Sequence, residues 1–226
     1  MKTWFIWNNQ SSDNMGVILE SIPPIIKPKK RYTTTTIDNV DGCSVEELGY
    51  DAYVKQLNVG FRYEDVEKVK AWLNGSSKLI FSNELTAYYK ATILDEIQYK
   101  KDIIFCHATV SFLVQPYKYA AYERSVKGDN VCIYNTGNVE SLPRITINGT
   151  GEIIVTVNND YVCTLNLSGN DTIIMDSEKQ DCYKQNGTLA NRNMQGDFPK
   201  LAVGKNKLVL FGNVTKVETE VRQRWL

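Results

Sequence analysis

The chain has 226 residues, room for one large β domain or for two ordinary ones, each with its own core. Hydrophobic residues make up 42% and charged residues 23%, the balance of a soluble globular protein rather than a disordered or fibrous one. The 26 basic side chains equal the 26 acidic ones, which excludes a global field for nucleic acid or anionic membranes, and no run approaches the roughly 20 apolar residues of a membrane helix.

In chain order, MKTWFIWNNQ is a short apolar run cut by Asn8 and Asn9. It lacks the length and cleavage site of a signal peptide and reads as a first strand, Lys2 to Trp7. Thr33 to Ile37 is a β-forming run stopped by Asp38-Asn39 and Asp41-Gly42. Between Ala52 and Phe61, Tyr53, Lys55, Leu57 and Val59 alternate with Val54, Gln56 and Asn58, and neither face is cleanly apolar. YEDVEKVKAWLNG, Tyr63 to Gly75, predicts one docking helix. Val66, Val69 and Leu73 recur at helical spacing, acidic residues crowd the first turn, and Asn74-Gly75 ends the run.

Strands follow at Lys78 to Phe81 and Thr86 to Tyr99. A long strand from Asp102 to Ala120 is expected to end at Pro116, because proline cannot donate to a central ladder. Ala121 to Pro143 mixes glycine, asparagine and proline with charge, as a linker should. Beyond it, ITINGTGEIIVTVNNDYVCTLNL predicts strand, Gly-rich turn, strand, Asn-Asn-Asp turn, strand, followed by a short strand at Ile173 to Met175 and a turn from Ser177 to Asp181. Gly196, Asp197 and Pro199 belong to an expected turn. Gly204, Lys205 and Asn206 are expected to form a hairpin connection, and Lys207 to Phe211 a buried strand. A half-exposed strand is expected at the end, where Val217, Thr219 and Val221 alternate with charged neighbours.

Catalytic and metal chemistry finds little support. The five cysteines, Cys43, Cys106, Cys132, Cys163 and Cys182, are odd in number and widely spaced, which disfavours a disulfide framework or a structural zinc. The single histidine, His107, adjoins Cys106, but neighbours on a strand point to opposite faces. No G-x-S-x-G elbow, H-E-x-x-H, P-loop or dinucleotide fingerprint occurs, so neither a metal nor a cofactor is expected. Carboxylates such as Asp171, or Asp176 with Glu178, could serve a glycosidase only if folding brought them face to face. KPKKR, Lys27 to Arg31, is the one basic cluster and has no interleaved aromatic for nucleic-acid stacking. Four Trp and thirteen Tyr would suit sugar platforms or protein interfaces equally well.

Three segments in order resemble the distal tail proteins (Dit) of long, flexible-tailed bacteriophages and prophages. IPPIIKPKKRYTTTTIDNVDG with its following strand and helix looks like the family's N-terminal ring domain with a protruding hairpin or belt. ILDEIQY and then ATVSFLVQPYKY resemble the strand that closes that domain. IYNTGNVESLPRITINGTGEI, TIIMDSEKQDCY and NMQGDFPKLAVGKNKLVLFGNV are similar to the family's Asn-x-Gly-x-x-x-Ser-x-Pro opening, Asp-Ser-Glu strand end and Gly-Asp-Phe-Pro…Gly-x-Asn signature.

The resemblance implies a mainly β chain. Residues 1–125 would form a β-rich, ring-forming domain with one α-helix, and residues 126–226 a galectin-like β-sandwich, whose last strand, 217–226, could pack back on the first domain. It further implies a non-enzymatic hub at the tail tip of the virion, made in the bacterial host's cytoplasm. Its partners would be itself, in a ring of six, the tail tube protein, a tail-associated lysin or fibre protein, and in some phages a receptor-binding protein. Neither sequence-specific nucleic acid nor membrane insertion is implied. Lys29, Lys30, Arg31, Tyr32, Asp41 and Gly42 fall where the resemblance places contact between subunits. Longer family members carry inserted carbohydrate-binding modules for which this chain has no room. The rival reading is a glycan-binding β-sandwich adhesion module, since fold alone does not assign function.

Overall fold

A computed structural model describes residues 2–122 and 124–226 and shows a mainly β chain with one α-helix. It divides into two compact units, Met1–Ala121 with Leu226, and Tyr122–Trp225.

The first unit contains β1 (Phe5–Trp7), β2 (Gln10–Ser11), β3 (Ile18–Leu19), β4 (Lys30–Thr35), β5 (Ser44–Tyr50), β6 (Tyr53–Arg62), α1 (Val66–Trp72), β7 (Gly75–Phe81), β8 (Ala87–Ile93), β9 (Lys100–Asp102) and β10 (Phe105–Ala120). Its main sheet runs β2-β1-β7-β8-β10-β6-β3, with β9 folded back on β10, while β4 and β5 form a separate two-stranded sheet. The antiparallel β6–β10 ladder sets Phe61 beside Cys106, Val59 beside Ala108, Leu57 beside Val110 and Lys55 beside Phe112. All eight side chains are buried, so the face that looked mixed in sequence is the core face. Lys55 belongs there because its Nζ donates to the Pro24 carbonyl at 2.7 Å and lies 5.7 and 5.3 Å from the ring centroids of Tyr53 and Tyr89.

The helix closes this core. Val69, Trp72 and Leu73 are buried, the Trp72 ring stacks on Phe5 at 5.4 Å, and its Nε1 donates to the Trp7 carbonyl at 2.9 Å. Asn8, in the left-handed region like Asn9, turns the tight β1–β2 hairpin, and its Nδ2 donates to the Trp72 carbonyl at the helix end. The long strand does not stop at Pro116. β10 continues to Ala120, with a register irregularity against β8 between Val114 and Lys118. Pairing with β6 ends at Val114, so no ladder hydrogen bond is asked of the proline. At the other end, the expected start is split by a turn between Asp102 and Phe105.

The second unit contains β11 (Ser125–Lys127), β12 (Asn130–Asn135), β13 (Arg144–Val157), β14 (Asp160–Asp176), β15 (Asp181–Lys184), β16 (Met194–Gly196) and β17 (Gly204–Glu220). They form one antiparallel sheet ordered β11-β17-β13-β14-β15, with β12 also on β17 and β16 on β14. Much of the stretch expected to be a linker is therefore ladder: Asn130–Asn135 pairs residue by residue with Val209–Gly204. The Asn-Asn turn is present, with Asn158 and Asn159 both at positive φ between paired Val157 and Asp160.

The expected Gly-rich turn at 148–151 is not a turn. β13 runs through it with register shifts at Gly149 and Gly151, and β14 absorbs the separate strand expected at Ile173. Likewise Gly204, Lys205 and Asn206 open β17, which continues through Gly212 to Glu220. Gly212 has φ +123°, and a Cβ there would strike the Glu152 carbonyl of β13, whereas Gly204, at φ +90°, has open space where a Cβ would go.

Two outcomes are expected in chemical denaturation. Trp72→Ala, which deletes the Phe5 stack and the bond to Trp7, should cost about 3–5 kcal/mol. Gly204→Ala should cost on the order of 1–3 kcal/mol from backbone strain alone, and Gly212→Ala distinctly more, because strain and collision add there.

Candidate functional site

The first unit leaves one element without a core. Prolines at 23, 24 and 28 hold back regular pairing until Lys30, after which the threonine run supplies β-branched residues. β4 pairs with β5 from Lys30 opposite Tyr50 to Thr35 opposite Ser44, and Asn39 and Gly42 in the connecting loop take positive φ. Every residue of β4, and all of β5 except Tyr50, is exposed, so both faces of the hairpin meet solvent. Its base is tied down: Lys30 Nζ lies 2.5 Å from Glu47 Oε1, Arg31 Nη2 donates to the Leu48 carbonyl at 3.3 Å, and Tyr50 meets Tyr117 edge-on at 6.2 Å. The Glu47 hydrogen bond holds the Lys30 ammonium above its ordinary pKa despite some desolvation. Of the residues singled out for subunit contact, Lys29, Lys30, Arg31 and Tyr32 stand at this base and Asp41 and Gly42 at the tip, all exposed. The structure does not bring the two groups together, since three strand residues, Thr33–Thr35, and loop residues 36–40 separate Tyr32 from Asp41.

On the outer face of β6 and β10 lies an open cleft of about 1020 Å³, lined by Gly60, Lys100, Phe105, His107 and Thr109 among others. His107 crosses Gly60 and is exposed, while Cys106 is fully buried, so the two do face opposite ways. Buried thiols elsewhere are poor nucleophiles: burial pushes Cys163 up to about 12 and Cys182 to about 11. Among the described residues, no three His, Cys, Asp or Glu side chains gather as a metal would require.

The carboxylates that a glycosidase would need are engaged in ion pairs. Asp171 lies 2.5 Å from Lys184 Nζ. Asp176, 1% exposed, accepts two bonds from Arg222 at 2.6 and 3.1 Å and also accepts from the Glu178 and Lys179 amides. Glu178 reaches the same guanidinium at 3.6 Å. Burial pushes the Asp176 carboxyl up, but the hydrogen bonds and charge of Arg222 outweigh it and hold the group below its ordinary 3.8.

The turn residues read from the sequence surround a buried polar cluster that the sequence did not reveal. Gly196, φ +109°, ends β16, where a Cβ would meet the Val162 carbonyl at 2.5 Å; the Asp197 amide then donates to that carbonyl, and Pro199 is buried. Asn206 is fully buried: its Nδ2 donates to the Ala202 and Gly204 carbonyls, and its Oδ1 accepts from Asn158 Nδ2. Asn135, equally buried, donates to the Val139 and Leu201 carbonyls and accepts from the Gly137 amide. Ser141 Oγ donates to the Val221 carbonyl. The signal for these was their flanking glycines and proline, which read as turns.

Arg222→Ala should destabilise the second unit by about 3–5 kcal/mol at neutral pH, because it strands a buried carboxylate. The Asp176 contribution is present above the unfolded carboxyl pKa and is lost as pH falls through the lower folded value. The gap in denaturation midpoint between wild type and variant should therefore narrow below about pH 4.

Residues 136–225 match the family model of the siphovirus-type tail component, C-terminal domain. Among curated proteins, no sequence matches the chain. Among solved structures, the fold is similar to that of phage SPP1 Dit, described as a paradigm of the hub adsorption apparatus in phages infecting Gram-positive hosts. The TM-score is 0.78 at 15% identity, over 100% of both chains. It is also similar to a chain of the phage p2 baseplate in its activated conformation with Ca, with TM-score 0.53 and 10% identity over 99% of this chain and 98% of that one. The same baseplate with Sr gives 0.51 and 9%, over 98% and 97%. The family model thus lies on the second unit, and over the full length the fold is similar to that of phage SPP1 Dit.

Proposed function

We propose that this chain is a distal tail protein of the Dit family and a structural hub of a phage tail tip, acting by assembly rather than by catalysis. In this reading six copies close into a ring that joins the tail tube to the tail-associated lysin or fibre protein, with receptor-binding proteins as further partners in the virion. The observation that carries it is the β4–β5 hairpin, solvent-exposed on both faces and bearing exposed Tyr32, Val45 and Leu48. An isolated two-stranded hairpin is marginal in water, so one that projects large apolar side chains gains stability by burial against a partner. Head-to-tail contacts between unlike surfaces generate rings when their rotation closes, and a projecting arm is suited to such a contact. The likeness of the fold to a phage adsorption hub and to a baseplate chain supports the same reading.

Light scattering at high concentration and negative-stain electron microscopy should show closed rings of six. Replacing residues 31–49 by a short Gly-Ser linker should leave monomers whose two units melt as in wild type. Strictly monomeric wild-type protein at every concentration would sink the ring, and hydrolysis of a cell-wall polymer by the purified protein would sink the non-enzymatic part.

A further inference from the structure

We infer that the β9–β10 turn is a lipid-contact tip, which seats its apolar side chains in the surface of an anionic membrane while the lysines behind them meet the headgroups. The contact is peripheral and needs only one copy of the chain. Where copies close into a ring, symmetry sets their tips at one level along its axis and multiplies the attachment.

The turn is built against its own backbone. Asp102 pairs with Phe105, so Ile103 and Ile104 form a two-residue connection. Such connections favour Asn, Asp and Gly, because their central residues take positive φ. Ile103 instead takes φ +45°, which a β-branched side chain tolerates poorly, and it is 86% exposed. Ile104 and Phe105 are 65% and 42% exposed. The Tyr63 amide holds the apex in place by donating to the Ile104 carbonyl at 2.9 Å. A polar turn would close the same hairpin with less strain and less apolar surface in water. Folding of the single chain therefore does not account for these three side chains, and outliers of this kind gather where a surface has a task.

The occupant follows from shape and charge. The apex is convex and two residues wide. A folded protein would need a matching pocket to bury it, whereas a fluid interface closes around any convex tip. Basic residues stand directly behind it on both faces of the hairpin. Lys100 and Lys101 precede Ile103 by three and two residues, roughly 10 and 7 Å along an extended strand. An interfacial segment buries its apolar side about 5–10 Å deep, so both ammonium groups reach headgroup level with their stems along the acyl boundary. Lys100, opposite His107, shares a face with Phe105, and Arg62, opposite Phe105, stands on that face as well. Lys101 stands on the other face and holds its Nζ 3.9 Å from the Tyr63 ring centroid, a pairing of cation and amphipathic ring that suits a water–lipid boundary. Asp102 is the one acid in residues 100–105, and Glu64 is held 3.3 Å from Arg62 Nη1. The remaining acids stand further back. Glu96 precedes Lys100 by four residues, and the Glu20 amide bonds the Asn58 carbonyl on a rung four residues behind Phe105, roughly 13 Å from it and beyond headgroup depth. The chain's zero net charge gives no global field, but this local excess of cations around an apolar apex favours an anionic lipid surface.

Vesicle co-sedimentation of the full-length protein tests this, with melting and light scattering measured in parallel. Wild type should bind vesicles of phosphatidylglycerol and phosphatidylcholine at least tenfold more tightly than vesicles of phosphatidylcholine alone, and added salt should narrow that gap. Ile103→Asn suits the turn, so melting should hold or rise while binding to the anionic vesicles weakens at least tenfold. Lys100→Gln with Lys101→Gln should bring anionic binding down to the neutral level, and Asp102→Asn should strengthen it. Ile104→Trp should show a fluorescence blue shift on binding and quenching by lipids brominated in the upper acyl chain. Wild type that ignores both kinds of vesicle, or anionic binding that Ile103→Asn leaves unchanged, would overturn the proposal while the hub reading stands. If Ile103→Asn weakens self-association and leaves vesicle binding unmoved, the tip seats on protein, and the proposal is overturned in that case too.

Discussion

The second unit is governed by a mismatch of lengths. β14 and β17 each run for 17 residues, which would span roughly 56 Å if flat. A compact unit of about a hundred residues has a diameter on the order of 35 Å. The strands must therefore bend, and they bend where the ladder slips: at Gly149 and Gly151 of β13, and opposite them in β17 between Gly212 and Lys216. Because one sheet curls through these bulges, its inner residues meet in a single core. Ile145, Ile147, Ile153, Val155, Leu165, Ile173, Met175 and Leu208 all reach it. The glycines at the slips are consequences of curvature, and the close approach of Gly212 to the Glu152 carbonyl shows how little room the bend leaves.

Curling leaves backbone groups at the ends of the unit without ladder partners, and side chains satisfy them, all buried except the exposed Asn158. Asn135, Asn158 and Asn206 bind carbonyls and amides of the surrounding turns, Ser141 reaches the Val221 carbonyl, and Asp176 accepts from the Glu178 and Lys179 amides while Arg222 neutralises it. The segments that most resemble the Dit family are thus largely structural staples. A buried polar group without a partner is costly, which accounts for the same residues recurring in networks rather than singly.

The first unit solves a different problem. Its sheet buries one face under α1 and the aromatic cluster of Phe5, Trp7, Trp72 and Phe112, and excludes the β4–β5 hairpin from that core altogether. Enclosed core and projecting arm are built from adjacent stretches of chain. The separation lets the arm meet another surface without disturbing the packing that holds the unit.

Much of this was legible in the residues themselves. The helix between Tyr63 and Gly75 followed from apolar spacing and an acidic first turn, the Asn-Asn hairpin at 158–159 from turn chemistry, and the opposed facing of Cys106 and His107 from the two-residue period of a strand. These are local rules that a few neighbouring side chains satisfy on their own. Whether Gly149 turns the chain or bulges it, whether Gly204 turns it or opens a strand, whether Pro116 ends a strand or rides past the end of a ladder, and whether Lys55 faces water or Tyr89 depended on partners tens of residues away. A glycine carries the same freedom in a turn and in a bulge, and only the strand lying beside it decides which is used.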